Sequence, residues 1–196
     1  MMGVEGLAVS LYTAPDLVRA VFGKLSRLHL SGVRQLASMD AVGALRQGDD
    51  LGYKTATFIS PTMLRQYVFP IYKEMAAISH AQGKPFILHS CGNLAEVYED
   101  LIEDCRIDAK HSFEDVIMPV AEFKKQYGQR VTPLGGLDVD FLCRASKPQL
   151  RAYARKNVEA CFSGDGYWAL GTGNSLTDYL PVENYITVLE AAAAIA

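Results

Sequence analysis

Along this chain, stripes of apolar residues at helical spacing alternate with short continuous apolar runs. Over residues 16–39 apolar residues recur every three or four positions (Leu17, Val18, Val21, Phe22, Leu25, Leu28), the stripe of an amphipathic helix, and Pro15 stands where a first helical turn accepts it. Residues 41–45 lead into Gly48-Asp49-Asp50. A second helix is expected over 61–81, opened by Ser60-Pro61 and stopped by Gly83. Residues 86–88 (Phe-Ile-Leu) follow a Gly and a Pro and are too few for a helix, so they read as a buried strand ending at His89. A helix over 94–105 is expected next. A short run over 107–110 then ends in His111-Ser112-Phe113-Glu114, and a helix from Pro119 to Tyr127 is closed by Gly128. Residues 131–134 run into Gly135-Gly136-Leu137-Asp138. Helix is expected over 147–162, a strand over 167–170 ending in Gly171-Thr172-Gly173-Asn174, and a last helix over 182–195.

Five strand–helix units in alternation predict an α/β fold with a parallel sheet and right-handed crossovers. A closed (β/α)8 barrel takes about 250 residues, and this chain supplies roughly five-eighths of its units. The expectation is a partial (β/α)8 TIM-type barrel forming one domain over 1–196. Three arrangements fit: an open sheet, the C-terminal part of a longer barrel, or a barrel completed by a partner chain. The edges of an incomplete barrel favour a homodimer or a missing N-terminal half. Every expected strand ends in polar or glycine-rich residues, and a barrel gathers such ends on the one face where its chemistry sits. Two of the four histidines, His89 and His111, fall there, whereas His29 and His80 fall on helices as surface or packing residues.

Composition narrows the class without naming it. The chain has 196 residues, 49% apolar and 21% charged, as an ordinary globular protein has. A net charge of −3 argues against a nucleic-acid partner. No run of 18 apolar residues and no basic-then-apolar N-terminus is present, so neither a membrane span nor a secretory signal is expected. The four cysteines (91, 105, 143, 161) are widely spaced, which reads as free thiols in a reducing cytoplasm.

The candidate chemistry centres on His89-Ser90-Cys91. An imidazole and a thiol two residues apart at a strand tip suit a zinc ion, which takes nitrogen and sulfur in tetrahedral geometry, or a metal-free active site. The bland alternative is a small buried thiol beside a hydrogen-bonded histidine. A third ligand must come from elsewhere, and Asp49, Asp50, Glu114 and Asp138 offer oxygens at strand tips. Asp49 and Asp50 suit acid–base work or the orientation of His89, or else capping and turn formation. Tyr53 and Lys54 follow, within reach of a barrel mouth or in an exposed loop. His111 and Glu114 flank Ser112, which reads equally as a helix cap. Gly135-Gly136 reads first as a turn. Amides of the 171–175 stretch, with Thr172 and Asn174, are able to hold an anionic group, although no phosphate-loop lysine is present.

Taken in order, Gly48-Asp49-Asp50-Leu51-Gly52-Tyr53-Lys54-Thr55, Lys84 to Asn93, Leu134-Gly135-Gly136-Leu137-Asp138, Ala169-Leu170-Gly171-Thr172-Gly173-Asn174 and Pro181-Val182-Glu183-Asn184 resemble the uroporphyrinogen decarboxylase superfamily, which includes the cobalamin-dependent methyltransferases. The resemblance covers nearly the whole chain and implies the C-terminal portion of a complete barrel. Its decarboxylase branch holds a porphyrinogen through an N-terminal arginine-bearing segment and an early aspartate, which have no counterpart in these residues. Its methyltransferase branch binds zinc through His-x-Cys and a distant Cys in the late Leu-Gly-x-Gly turn. His89 and Cys91 match the first part, and Thr172 stands at the distant position, so Asp49 or Glu114 is a candidate replacement. The expectation is therefore a zinc-dependent methyltransferase. It would move a methyl group between a thiol or methylated small molecule and a corrinoid supplied by a partner protein, with the zinc ligands His89 and Cys91, the catalytic residues Asp49, Asp50, His111 and Glu114, and the substrate-binding residues Tyr53, Lys54, Gly136, Asp138, Thr172 and Asn174. The alternatives are a cofactor-free uroporphyrinogen decarboxylase, with Asp49 or Asp50 facing the pyrrole nitrogens, and a non-catalytic half-barrel that binds a tetrapyrrole.

Overall fold

A computed structural model describes residues 2–195. Four parallel strands, β1 (Leu45–Gly48), β2 (Phe86–His89), β3 (Ala109–His111) and β4 (Thr132–Pro133), lie side by side in sequence order, the arrangement of consecutive barrel strands. The expected fifth strand over 167–170 is an extended segment held by isolated parallel bridges, Leu134 to Ala169 and Leu137 to Thr172. The ladder is interrupted because Gly135 and Gly136 between the two bridges have φ of +75° and +110°, outside strand geometry. A Cβ on Gly136 would stand 2.3 Å from Val120 Cβ.

Helices α1 (Gly3–Thr13) and α2 (Pro15–Ala37) precede the sheet, and α2 packs on α4 (Phe69–His80), which covers β2. The single helix expected over 61–81 is two, α3 (Pro61–Tyr67) and α4, meeting at Val68. Pro70 has no N–H to continue the ladder, which explains the break. Ser60 caps α3, its Oγ accepting from the Met63 amide. The expected helix over 94–105 is a 3-10 turn (Ala95–Val97) followed by a π-helical turn (Asp100–Asp104). Helix α5 (Val120–Tyr127) contacts β4. After it come α6 (Val139–Arg144), α7 (Lys147–Phe162) and α8 (Val182–Ala193), with α7 and α8 packed together. Helices α1 and α6 have no counterpart among the elements expected from the apolar spacing.

Strand register sorts the side chains. Leu45 pairs with Phe86 and Leu88 with Lys110, and all four are buried on the helix-covered face. Arg46, Ile87 and Ala109 share the opposite face, followed one layer on by Gly48, His89 and His111. Alternation along each strand therefore carries both histidines to the inner face at the C-terminal tips. Among the described residues no helix is long and apolar enough to cross a membrane.

Candidate metal centre at the strand tips

The pleat separates the two adjacent aspartates. Asp49 continues the helix-facing side of β1 and accepts a 2.7 Å hydrogen bond from the Tyr72 hydroxyl of α4. Burial raises the Tyr72 pKa well above its ordinary value, and Asp49 raises it further. Asp50 takes the other side, where its Oδ1 accepts from the Cys91 amide at 3.1 Å. This contact depends on Gly92, whose φ is +87° and where a Cβ would stand 2.1 Å from the carbonyl carbon of Gly52. The missing side chain lets the β2 loop lie against the β1 loop. The Asn93 amide then donates to Tyr53 O at 2.7 Å, and the Ser90 hydroxyl accepts from the Leu51 amide at 3.1 Å.

One ligand atom from each of Asp50, His89 and Cys91 falls in a group whose members all lie within 4.8 Å of one another. Cys91 Sγ is 3.7 Å from His89 Nε2. Nitrogen and sulfur bound to one tetrahedral zinc at ordinary bond lengths stand about 3.6 Å apart, so the spacing fits, and a carboxylate, imidazole and thiolate set suits zinc chemically. The sulfur lies among polar groups: Asn174 Nδ2 donates to it at 3.3 Å, and Ser112 Oγ is 3.5 Å away. Burial is the main influence on the Cys91 thiol and pushes its pKa up. Asp50 adds to that, while Ser112 and Asn174 pull it down.

The two histidines touch. His89 Nδ1 and His111 Nδ1 are 2.6 Å apart, and His111 Nε2 is 3.0 Å from the Thr172 carbonyl oxygen. Burial first, and then His111, Arg46 and Lys110, hold the His89 pKa down at about 4, against a smaller raising effect of Asp50. The His111 pKa is also lowered, mainly by burial. Behind them Lys110 is almost wholly enclosed, its ammonium 4.2 Å from the Phe113 ring centroid and hydrogen-bonded to Ser112 O.

The other expected site residues scatter. Lys54, Glu114, Asp138 and Asn174 line an open cleft of about 510 Å³ beside the metal-ligand group, with Phe113, Arg144 and Tyr179. Asp138 caps α6, its carboxylate accepting from the amides of Phe141 and Asp115 at 3.0 and 2.9 Å. Thr172 turns its hydroxyl to Asn174 O. Gly136 lies against Val120 of α5, and Tyr53 stacks loosely on Phe58 in the β1–α3 loop. Ser112, read as a possible cap, opens no helix, since α5 begins at Val120. Sequence reasoning missed Lys110, because residues 107–110 read Ile-Asp-Ala-Lys, two charges alternating with apolar residues, which gives no signal of burial. It also missed Tyr153, whose hydroxyl bonds Asp115 at 2.7 Å and for which nothing local gave a signal.

An open set of parallel strands with a carboxylate, an imidazole and a thiol converging at their C-terminal tips defines a barrel-type α/β fold with a candidate metal centre. The chain belongs to the uroporphyrinogen decarboxylase (URO-D) family, whose family model matches residues 1–195. No curated protein matches the sequence. Among solved structures, a methyltransferase from Methanosarcina mazei superposes with a TM-score of 0.77 at 18% identity, covering 98% of this chain and 54% of that one. That likeness is one of fold, and the chain spans about half the length of the methyltransferase.

Proposed function

We propose that this chain carries the metal-binding half of a zinc-dependent methyltransferase that moves a methyl group between a corrinoid on a partner protein and a thiol. The observation that carries the reading is the convergence of Asp50, His89 and Cys91, with a nitrogen–sulfur distance of 3.7 Å. In this reading Asp50 supplies the third ligand in place of the expected distant cysteine, and Asp49 and Glu114 do not, because Asp49 is bonded to Tyr72 and Glu114 lines the cleft. Zinc bound there would lower the pKa of an acceptor thiol so that it is a thiolate near neutral pH. Asn174 and Ser112 offset the charge of the Cys91 sulfur with hydrogen bonds. The adjacent cleft, with Lys54 and Glu114 at its wall, meets the centre at Asn174, which donates to Cys91 Sγ, and is the substrate's approach in this reading. Membership of the family and the fold shared with a methyltransferase support this reading.

The test is elemental analysis of the purified protein. About one zinc per chain is expected for the wild type, with a large loss in Cys91→Ala and in Asp50→Asn but not in Asp49→Asn. Equal, near-zero zinc in all four proteins removes the proposal.

A further inference from the structure

The hydrogen bonds around the two histidines run in one direction only. A carbonyl oxygen accepts and never donates, so the 3.0 Å contact between His111 Nε2 and Thr172 O requires a hydrogen on Nε2. A neutral imidazole then has a lone pair on Nδ1. The 2.6 Å contact between the two Nδ1 atoms therefore needs its hydrogen on His89, and His89 Nε2 is left with the lone pair. That nitrogen is the atom 3.7 Å from Cys91 Sγ.

We infer that His111 is a positioning residue, which, braced by the Thr172 carbonyl, holds His89 in the Nδ1–H tautomer and turns its Nε2 lone pair toward Cys91 and Asp50. His111 touches neither sulfur nor carboxylate in this arrangement and acts only through His89. The late turn contributes a backbone oxygen, so its side chain is free to be Thr172 rather than a ligand. The register pairing of His89 with His111 on adjacent strands makes the contact possible, and the ring centroids stand 4.7 Å apart. The inference rests on the proposed metal centre for its purpose but not for its geometry.

Three substitutions separate the roles. Asn at 111 puts an amide oxygen near the position of Nδ1 and keeps an acceptor for His89. Gln reaches instead toward the Nε2 position, and Leu offers neither. Long-range proton–nitrogen correlation of the imidazoles, recorded on 15N-labelled metal-free protein at mildly alkaline pH, reads the tautomer directly. His89 is expected as Nδ1–H in the wild type and in His111→Asn, and as a mixture or Nε2–H in His111→Gln and His111→Leu. Zinc affinity by competition with a chromophoric chelator should stay within about threefold in His111→Asn and fall about 10- to 100-fold in His111→Leu, the range for losing the partner of a metal-bound histidine. His111→Gln repeats the affinity measurement if the Leu variant fails to fold. Wild-type His89 found as Nε2–H, or equal zinc affinity in wild type, Leu and Gln variants, overturns the inference. Nδ1–H in a wild type that binds no zinc overturns the proposed function and leaves the tautomer assignment standing.

Discussion

Lys110 is the charged side chain that the fold isolates most fully, enclosed behind β3 with the Phe113 ring on one side and Ser112 O on the other. Burial pulls its pKa from 10.5 to about 7, partly opposed by Cys91 and Glu114. Between those two values the unfolded chain keeps a proton that the folded chain has lost. Stability from this group is therefore full above the unfolded pKa and declines as pH falls to about 7. The slope is at most about 1.4 kcal/mol per pH unit. Lys110→Met removes it, so the urea midpoint of the wild type should rise from pH 7 to pH 9 by more than that of the variant. Equal rises would assign the buried proton elsewhere.

At the scale of elements, the α6 wall of the cleft beside the candidate centre is held by short pieces tied end to end. Helix α6 has only six residues, and its start is held by Asp138, which accepts from the Phe141 and Asp115 amides while its own amide donates to the Tyr153 hydroxyl of α7. Tyr153 also donates to Asp115, and burial raises the pKa of both groups. One carboxylate therefore joins the β3 loop and α6, and a tyrosine joins both to α7. Asp138→Ala is expected to cost about 1–2 kcal/mol in urea denaturation, the upper range for an N-cap, because two amides lose their acceptor. A loss under about 0.5 kcal/mol would mean that water replaces the carboxylate freely.

On the scale of the whole molecule, the candidate ligands come from two loops. Asp50 follows β1, and His89 and Cys91 end and follow β2, so a bound ion clips neighbouring strands together. An ion that binds only the folded state stabilises it by about 2.7 kcal/mol at a free concentration 100 times its dissociation constant. Zinc should therefore raise the wild-type denaturation midpoint, and a chelator should reverse the rise. Cys91→Ala should show neither effect. A zinc-induced rise of the same size in Cys91→Ala would place the ion elsewhere.

Most of the strand–helix alternation, the parallel sheet and the identity of the strand-tip residues were legible in the chain itself, because helical spacing and short apolar runs bounded by Gly and Pro are local signals. His89 and Cys91 stood out because a strand tip, a histidine and a cysteine lie within one ten-residue stretch. The break at Val68, the helix α6 and the interrupted pairing at Ala169 were less legible. They turn on Pro70, on an aspartate that also reads as a turn residue, and on glycines whose φ is set by their neighbours. Tertiary structure alone decided which of two adjacent aspartates meets the cysteine. The pleat sends Asp49 to Tyr72 and Asp50 to Cys91, and Gly92 lets the two loops close. It alone set His111 on His89 and the Thr172 carbonyl on His111, since register and loop contact join residues 22 and 61 positions apart. Spacing along a chain encodes the face on which a side chain stands, whereas its partner across that face is settled only when distant strands pair.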